Sequence, residues 1–303
     1  MTTKKAVKKT KETLPPHPME ALLRTERLPH IWCSGCGIGT VFGSVMAAVQ
    51  KSGYDQDKIA VVSGIGCTAR MAGYIRLDSF HTTHGRALPF ATGLKLARPD
   101  IKVLVISGDG DLLAIGGNHF IHAARRNIDV TVICVNNLTY GMTGGQLAPS
   151  TPFGAKTATS SLGCPEEPFN FCYLASACGS VYVARWTTLH IRRITNSITE
   201  AMQKRGFSFV EILTPCPTSF GRRNKIGSAL DTLKFYHERS VIRNDIDPKD
   251  APMDFHSNIV LGKFVDRERP TFMDNYEMAC RGQIGNWLSV DGGKGKRGDE
   301  IIQ

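Results

Sequence analysis

Residues 101–117, IKVLVISGDGDLLAIGG, begin with aliphatic and β-branched residues and end in glycines. A short apolar run that stops at glycine is typical of a buried strand of a parallel sheet, followed by a turn into a helix. The turn carries Asp109 between Gly108 and Gly110. We therefore predict a strand over 101–107 with Asp109 at its carboxyl end.

Three further runs of this kind alternate with helix-length segments. The other predicted strands are KIAVVSGIG (58–66), DVTVICVNN (129–137) and FSFVEILTP (207–215). Helices are predicted at 39–53, 85–99, 116–127 and 189–206. This alternation predicts the α/β class, with a doubly wound, mostly parallel sheet. Ligands of such sheets bind at the carboxyl ends of the strands.

The composition divides the chain into three parts. Residues 1–28 form a basic, proline-containing arm, and residues 29–225 form the predicted sheet domain. Residues 226–303 begin with a short helix and show no strong strand period. We expect them to be a C-terminal extension that packs on the core or on a partner subunit.

The bulk composition favours a cytoplasmic protein that does not associate with a membrane. Of the 303 residues, 42% are hydrophobic and 21% are charged, which is enough for a sizeable core. No apolar run approaches the roughly 18 residues that span a bilayer. The lysine-rich start lacks the apolar stretch of a secretory signal. In a reducing compartment, the nine cysteines favour metal ligands, catalytic groups or buried thiols over disulfides.

The net charge of +10 is concentrated at the two ends of the chain. Lysines cluster within residues 4–11, and Lys294, Lys296 and Arg297 lie near the other end. These runs are solvated tails or a landing site for an acidic partner. Nucleic acid is not expected as a partner, because the chain has no zinc-finger or RNP-type aromatic motif.

Asp109 and Asn137 each follow a predicted strand, separated by one helix and one strand, so their strands can be neighbours. A carboxylate, an amide oxygen and a backbone carbonyl suit Mg²⁺, and glycines let the backbone approach a diphosphate. GDG together with NN resembles the thiamine-diphosphate-binding module. That resemblance implies that Asp109, the Asn137 side chain and the Thr139 carbonyl hold Mg²⁺. It also implies a set of residues lining the diphosphate: Gly108, Gly110, Asp111, Gly141 and Met142.

Four cysteines are expected at the same edge of the sheet. Cys67 and Cys216 follow predicted strands, whereas Cys33 and Cys36, in WCSGCGIG, precede the first helix. Four thiolates suit tetrahedral zinc or a [4Fe–4S] cluster, and the spacing does not choose between them. Cys134, Cys172 and Cys178 are expected to be buried small hydrophobes, and Cys164 is expected in a mobile loop near the site.

Six ordered motifs extend the resemblance: WCSGCGIG, VSGIGC, HTTHGRALPFATGLKL, GDGDLLAIGGNHF, NNLTYGMTGGQ and TPCPT. Together they resemble the β subunit of 2-oxoacid:ferredoxin oxidoreductases, most closely the 2-oxoglutarate type. The family's cofactors are thiamine diphosphate, Mg²⁺ and a [4Fe–4S] cluster, so the resemblance assigns the cluster to Cys33, Cys36, Cys67 and Cys216. The expected cofactor-binding set is completed by Gly64, Ile65, Gly66, Cys67 and His84.

The resemblance also implies the reaction. A 2-oxo acid and coenzyme A would give an acyl-CoA and CO₂, with electrons passing to ferredoxin, or the reverse as CO₂ fixation. Arg70 would pair with the distal carboxylate of 2-oxoglutarate through its bidentate fork. It is otherwise a surface or subunit-interface arginine. His84 and Thr143 are further catalytic candidates, with Gln146 beside them, and His81 is a structural histidine or a companion of His84.

Thiamine enzymes need a glutamate to activate the cofactor, and no convincing candidate lies in the diphosphate module. In the family, this glutamate comes from the other subunit. We therefore expect an α subunit as partner, in an α2β2 assembly.

Three alternatives stay open. The same chemistry on pyruvate or branched 2-oxo acids would not need Arg70. A non-redox thiamine enzyme would not need four convergent thiols, and a metal-stabilised scaffold subunit would not need the Asp109–Asn137 pair.

Overall fold

A computed structural model describes residues 17–284. The two basic runs, and with them the predicted landing site for an acidic partner, lie outside this range. All nine cysteines lie inside it and all are free thiols. Within the same range, no helix is both long enough and apolar enough to cross a membrane.

Eight strands form one sheet in the order β2-β1-β3-β4-β6-β5-β8-β7. The strands are β1 (Ile59–Ser63), β2 (Asp78–His81), β3 (Lys102–Gly108), β4 (Thr131–Asn136), β5 (Tyr182–Thr187), β6 (Ser208–Leu213), β7 (Ser240–Ile242) and β8 (Ile259–Asp266). Strands β1 to β6 all run parallel to one another, whereas β8 is antiparallel to β5 and parallel to β7. The carboxyl ends of β1, β3, β4 and β6 therefore meet at one edge.

Eight helices accompany the sheet. They are α1 (Ile38–Ser52), α2 (Met71–Tyr74), α3 (Ala87–Ala97), α4 (Gly117–Arg125), α5 (Phe171–Ala177), α6 (Ile191–Gln203), α7 (Ala229–Arg239) and α8 (Phe272–Cys280). Successive residues of β3 point to opposite faces: Leu104 and Ile106 pack with α1 and α6, and Val103 and Val105 pack with α3, α4 and α5. Both faces are thus apolar, which explains the continuous apolar runs.

The doubly wound, mostly parallel architecture is confirmed, as are the four predicted strands and the four predicted helices, with ends shifted by a few residues. β2 and β5 were not predicted. β2 is an exposed edge strand of four residues, and β5 carries the charged Arg185 in the middle of its apolar run.

The residues after 226, which show no strong strand period in the sequence, contain two strands that were not predicted. The predicted short helix is α7, but β7 and β8 follow it, and β8 pairs with β5. Gly262 and Lys263 interrupt the apolar pattern of β8, which hides the strand in the sequence.

The chain runs from β1 outward to β2 and then returns across β1 to β3, from which the sheet grows in the other direction. The strand order therefore reverses between β1 and β3. In open α/β sheets, such a reversal leaves a crevice at the carboxyl ends of the strands, where ligands bind.

Candidate active site

A cavity opens at this reversal, and we call it the cofactor cavity. Its wall is formed by the segments that follow β1, β3 and β4, together with His84. The lining residues are Ile65, Gly66, Cys67, Thr68, His84, Gly108, Asp109, Gly110, Asp111, Asn137, Thr139, Tyr140, Gly141, Met142 and Thr143. Every residue predicted to bind thiamine diphosphate or Mg²⁺ lies in this wall except Gly64. Arg70 is not part of the wall.

Asp109 directly follows β3 and is only 2% exposed. Burial raises the pKa of its carboxyl to about 7, although the hydrogen bond that Ser150 Oγ donates to Oδ2 opposes this rise. Among residues 17–284, no cation forms an ion pair with it. A desolvated carboxylate of this kind fits a bound cation, which would restore its charged form.

Asn137 presents an unused acceptor in the same wall. Its Oδ1 atom is buried and has no hydrogen-bond partner within the described chain. Burying an unsatisfied oxygen costs about 1–3 kcal/mol, so the position fits a ligand that fills it. Asp109 and Asn137 together fit the hard oxygen donors of a Mg²⁺ site.

Gly141 brings the amide and two thiols together. A Cβ atom at this position would lie 3.5 Å from Asn137 Nδ2, 3.4 Å from Cys216 Sγ and 3.9 Å from Cys67 Sγ. The Asn137 side chain and two of the predicted cluster thiols therefore border the same small space.

The four predicted cluster cysteines lie close enough for their charges to affect the pKa values of Cys36 and Cys67. The pKa of the Cys67 thiol is raised to about 11, mainly by burial and then by the nearby Cys216, Cys36 and Cys33, in that order. Burial also raises the pKa of Cys36, with Cys33 and Cys216 adding to the effect. In residues 17–284, no three His, Cys, Asp or Glu side chains are grouped so that they could hold a single metal ion.

Asp111 was predicted to line the diphosphate. It lies in the cavity wall, but both of its carboxylate oxygens are already engaged. Oδ1 accepts a hydrogen bond from Gly85 N at 2.8 Å and contacts His84 Nδ1, and Oδ2 accepts one from Ser107 Oγ. A Cβ atom at Gly64 would lie 1.7 Å from Asp111 Oδ2. Gly64 thus leaves room for the Asp111 carboxylate, which in turn contacts and orients His84.

The remaining candidates divide by position. His84 is about one-third exposed and packs edge-on against Tyr140. Thr143 lines the cavity and donates a hydrogen bond to Gln146 Oε1 at 2.7 Å. Arg70 is exposed at the end of a short helical turn after β1.

The structural alternative for His81 is supported, because its Nδ1 lies 3.0 Å from Ser63 Oγ. Cys134 and Cys172 are buried as expected. The expectation that Cys164 lies in a mobile loop is not supported, because its thiol is buried and contacts the Glu166 carbonyl at 3.4 Å.

Comparisons with known proteins agree with this geometry. Residues 64–212 match the family model described as thiamine pyrophosphate enzyme, C-terminal TPP binding domain. The chain is 48% identical over 258 residues to 2-oxoglutarate synthase subunit KorB of Methanothermobacter marburgensis, covering 85% of this chain and 90% of that relative. The chain belongs to the KorB family of 2-oxoacid:ferredoxin oxidoreductase β subunits.

A second relative of this KorB-family chain is 2-oxoacid:ferredoxin oxidoreductase 2, subunit beta, of Aeropyrum pernix. It is 41% identical over 208 residues, which is 69% of this chain and 65% of the relative. A similar solved structure is 2-oxoglutarate:ferredoxin oxidoreductase from Magnetococcus marinus with 2-oxoglutarate, coenzyme A and succinyl-CoA bound. Its TM-score is 0.78 at 32% identity, and the match covers 92% of this chain and 95% of that chain.

The KorB-family chain also contains a buried polar network that sequence reasoning missed. Arg185 and Glu211, both fully buried, form an ion pair at 2.7 Å between β5 and β6. Glu211 Oε1 accepts a hydrogen bond from Asn136 Nδ2 at 2.8 Å, and Asn136 Oδ1 accepts one from Leu138 N at 3.1 Å. The network thereby reaches both neighbours of Asn137 in the chain. The only sign of this network in the sequence is that Arg185 and Glu211, of opposite charge, each lie within an apolar run.

Proposed function

We propose that this chain is the β subunit of a CoA-dependent 2-oxoglutarate:ferredoxin oxidoreductase. The enzyme converts 2-oxoglutarate and CoA into succinyl-CoA, CO₂ and a proton, and two oxidised ferredoxins each accept one electron. Run in reverse, the same reaction fixes CO₂. The observation that carries the proposal is the meeting of Asn137, Cys67 and Cys216 around Gly141, in the wall of the cavity that Asp109 also lines, supported by membership of the KorB family.

We assign Mg²⁺ to Asp109, the Asn137 side chain and the Thr139 carbonyl. Support comes from the raised pKa of Asp109 and from the unpartnered Asn137 Oδ1. The diphosphate of thiamine diphosphate would lie along Gly108, Gly110, Gly141 and Met142, where the backbone is open to the cavity.

We assign a [4Fe–4S] cluster to Cys33, Cys36, Cys67 and Cys216. Support comes from their mutual influence on thiol pKa values, which requires proximity. Burial and like charge raise the pKa values of Cys36 and Cys67, so a positively charged iron centre would stabilise these two as thiolates. Cys33, the exposed member, places one side of the set toward solvent.

When bound, thiamine diphosphate supplies the carbon nucleophile and the electron sink, and the cluster accepts electrons singly. The chain's own residues orient and insulate these groups. Asp111 fixes the Nδ1 side of His84, which leaves Nε2 as the ring nitrogen available to substrate or diphosphate. Ile65 and Met142, apolar and partly exposed at the cavity, help to exclude water once covered.

The cavity wall contains no glutamate among the described residues. We propose that an α subunit supplies this group and covers the cavity, in an α2β2 assembly, and that the enzyme is cytoplasmic. Exposed apolar side chains at the rim are consistent with a subunit interface.

Arg70 is our candidate for the distal carboxylate of 2-oxoglutarate. It is exposed and close in sequence to Cys67 of the wall, so its long side chain is available to a substrate at the subunit interface. The runner-up function, oxidation of pyruvate or branched 2-oxo acids, does not require this cation.

The test uses anaerobically purified enzyme assembled with its α subunit. We expect viologen reduction that depends on both CoA and 2-oxoglutarate. Arg70→Ser should raise the KM for 2-oxoglutarate by about tenfold or more, as expected for loss of a charge-assisted pair, and should leave any turnover of pyruvate unchanged. Arg76→Ser, a nearby exposed cation, is the matched control. Unchanged 2-oxoglutarate kinetics in Arg70→Ser would refute the substrate assignment.

A further inference from the structure

Cys216 borders two different cavities. On one side its Sγ lies beside Gly141 of the cofactor cavity. On the other side it lines a second cavity of about 210 Å³, which we call the aromatic cavity. Its walls include Phe153, Phe220, Phe235, Tyr236 and Phe255. Phe153 is half exposed, so this apolar depression opens to the surface.

Four cations surround the aromatic cavity, and we call them the cationic rim: Lys156, Arg222, Arg223 and Lys225. Each is exposed and adjacent in sequence to a residue that lines the cavity, namely Ala155, Gly221 or Asn224. None of the four pairs with a carboxylate in the described part of the chain. The nearby Asp231 instead accepts hydrogen bonds from Ser228 N and Oγ at the start of α7.

The cationic rim is fixed in place by Asn224. Its Oδ1 accepts a hydrogen bond from Lys156 N at 2.7 Å, and its Nδ2 donates one to Lys156 O at 3.0 Å. This pair joins the loop that carries Lys156 to the segment that carries the two arginines. Arg223 also donates a hydrogen bond to Gly144 O at 3.3 Å. The rim is therefore a preformed surface.

We propose that the aromatic cavity and its cationic rim are the docking surface for an acidic one-electron carrier protein. This inference rests on the proposed function. An apolar centre within a charged rim is the usual anatomy of a protein interface. The four cations outnumber the two carboxylates that are likewise next in sequence to lining residues, Asp231 and Asp254, and this net positive charge favours a negatively charged partner. Cys216 lines the aromatic cavity, and its Sγ lies beside Gly141 of the cofactor-cavity wall, so one proposed cluster ligand stands between a carrier seated here and the cofactor cavity.

Two carriers dock in turn for each 2-oxoglutarate oxidised. The two electrons released with CO₂ and one proton leave singly, and each reduces one oxidised carrier. Interfaces of electron-transfer partners are small and short-lived, which suits a single cavity with four rim charges. CoA is also anionic, and the α subunit could cover the same surface, so the experiment has to separate these occupants.

The test compares charge reversals in the assembled holoenzyme. Lys156→Glu/Arg222→Glu changes one rim cation on each of the two joined segments. Arg125→Glu/Arg126→Glu is the matched control, because α4 carries these residues to the opposite edge of the sheet. At low ionic strength, we expect the rim variant to lose about tenfold or more in kcat/KM for an acidic ferredoxin. The loss should shrink as salt is raised.

Other readouts identify the occupant. Viologen reduction and the KM for CoA should match the wild type in the rim variant, and the α subunit should copurify with it. Phe153→Ala should lower kcat/KM for ferredoxin with little dependence on salt. Unchanged ferredoxin kinetics, a raised KM for CoA, or loss of the α subunit would each overturn the docking proposal. Absence of 2-oxoglutarate-dependent viologen reduction in the wild type would refute the proposed function instead.

Discussion

Gly110 and Gly141 both line the cofactor cavity, but for different physical reasons. A Cβ atom at Gly110 would lie 2.4 Å from the ring of Tyr140, whose hydroxyl donates a hydrogen bond to Gly110 O at 3.0 Å. A Cβ atom at Gly141 would meet ordinary contact distances and would occupy the space between the amide and the thiols. The first glycine serves packing, and the second leaves room for a ligand.

We predict opposite effects for the two alanine substitutions. Gly110→Ala should lower the melting temperature of the cofactor-free enzyme, because the Tyr140 ring has to move. Gly141→Ala should leave that temperature nearly unchanged and weaken binding of Mg²⁺ and thiamine diphosphate by about tenfold, or about 1.4 kcal/mol. Calorimetric melting and cofactor titration measure the two quantities. Equal loss of stability in both variants would contradict the ligand role of Gly141.

At the residue scale, the sequence located most of the cavity wall but not the role of each residue. GDG and NN follow strands, so topology brings them together without any knowledge of side-chain contacts. Asp111 lies in the predicted wall, but its hydrogen bonds to Gly85 and Ser107 could not be predicted, because these partners lie outside its own turn in the sequence. The unused acceptor of Asn137 is likewise visible only in three dimensions.

At the scale of the elements, the Arg185–Glu211 pair connects three strands to the loop that carries Asn137. Glu211 on β6 binds Asn136 at the end of β4, and Arg185 on β5 also donates a hydrogen bond to Ala251 O at 2.8 Å. Leu138 has φ +66°, an uncommon value for a residue with a side chain. Its N–H bond to Asn136 Oδ1 helps to hold that conformation.

We predict that Glu211→Gln destabilises the protein by about 3–5 kcal/mol, because it leaves the buried Arg185 charge without its partner. Arg185→Met/Glu211→Leu should recover most of this stability, since an apolar pair of similar size avoids the buried charges. Mg²⁺ binding should stay weakened in the double variant, because Asn136 loses its acceptor. Denaturant unfolding and Mg²⁺ titration measure the two effects. Wild-type Mg²⁺ affinity in the double variant would show that the network is purely structural.

The same pair explains why part of the sheet was missed. Arg185 interrupts the apolar pattern of β5, although it is fully buried and neutralised by Glu211 across the strand pair. β8 was missed because Gly262 and Lys263 break its apolar run. The strands that were predicted, such as β3 and β4, have apolar residues on both faces and few polar interruptions.

At the scale of the whole molecule, we propose that the chain contributes only part of an active site. In this proposal the cavity wall binds and orients the cofactor, and the α subunit supplies the glutamate and the cover. The sequence indicated this division, because the diphosphate motifs are present and a suitable glutamate is not. The cationic rim was not foreseen, because its residues are scattered between positions 156 and 225 and meet only through Asn224.

We predict that the isolated chain binds Mg²⁺ and thiamine diphosphate but does not turn over 2-oxoglutarate. Addition of the α subunit should restore CoA-dependent viologen reduction, because it completes the cofactor site. Anaerobic titration of one subunit into the other measures this dependence. Full activity of the isolated chain would contradict the shared active site.

The central claim is that the four thiols hold a [4Fe–4S] cluster beside the thiamine cofactor. The most direct measurement is the iron and acid-labile sulfide content of the enzyme, purified anaerobically with its α subunit. The wild type should contain about four more iron atoms and four more sulfides per β chain than Cys216→Ala. Cys178 is a half-buried thiol outside the set, so Cys178→Ala should match the wild type. Equal iron and sulfide in wild type and Cys216→Ala, or no iron and sulfide in either, would contradict the account and leave non-redox thiamine chemistry as the function.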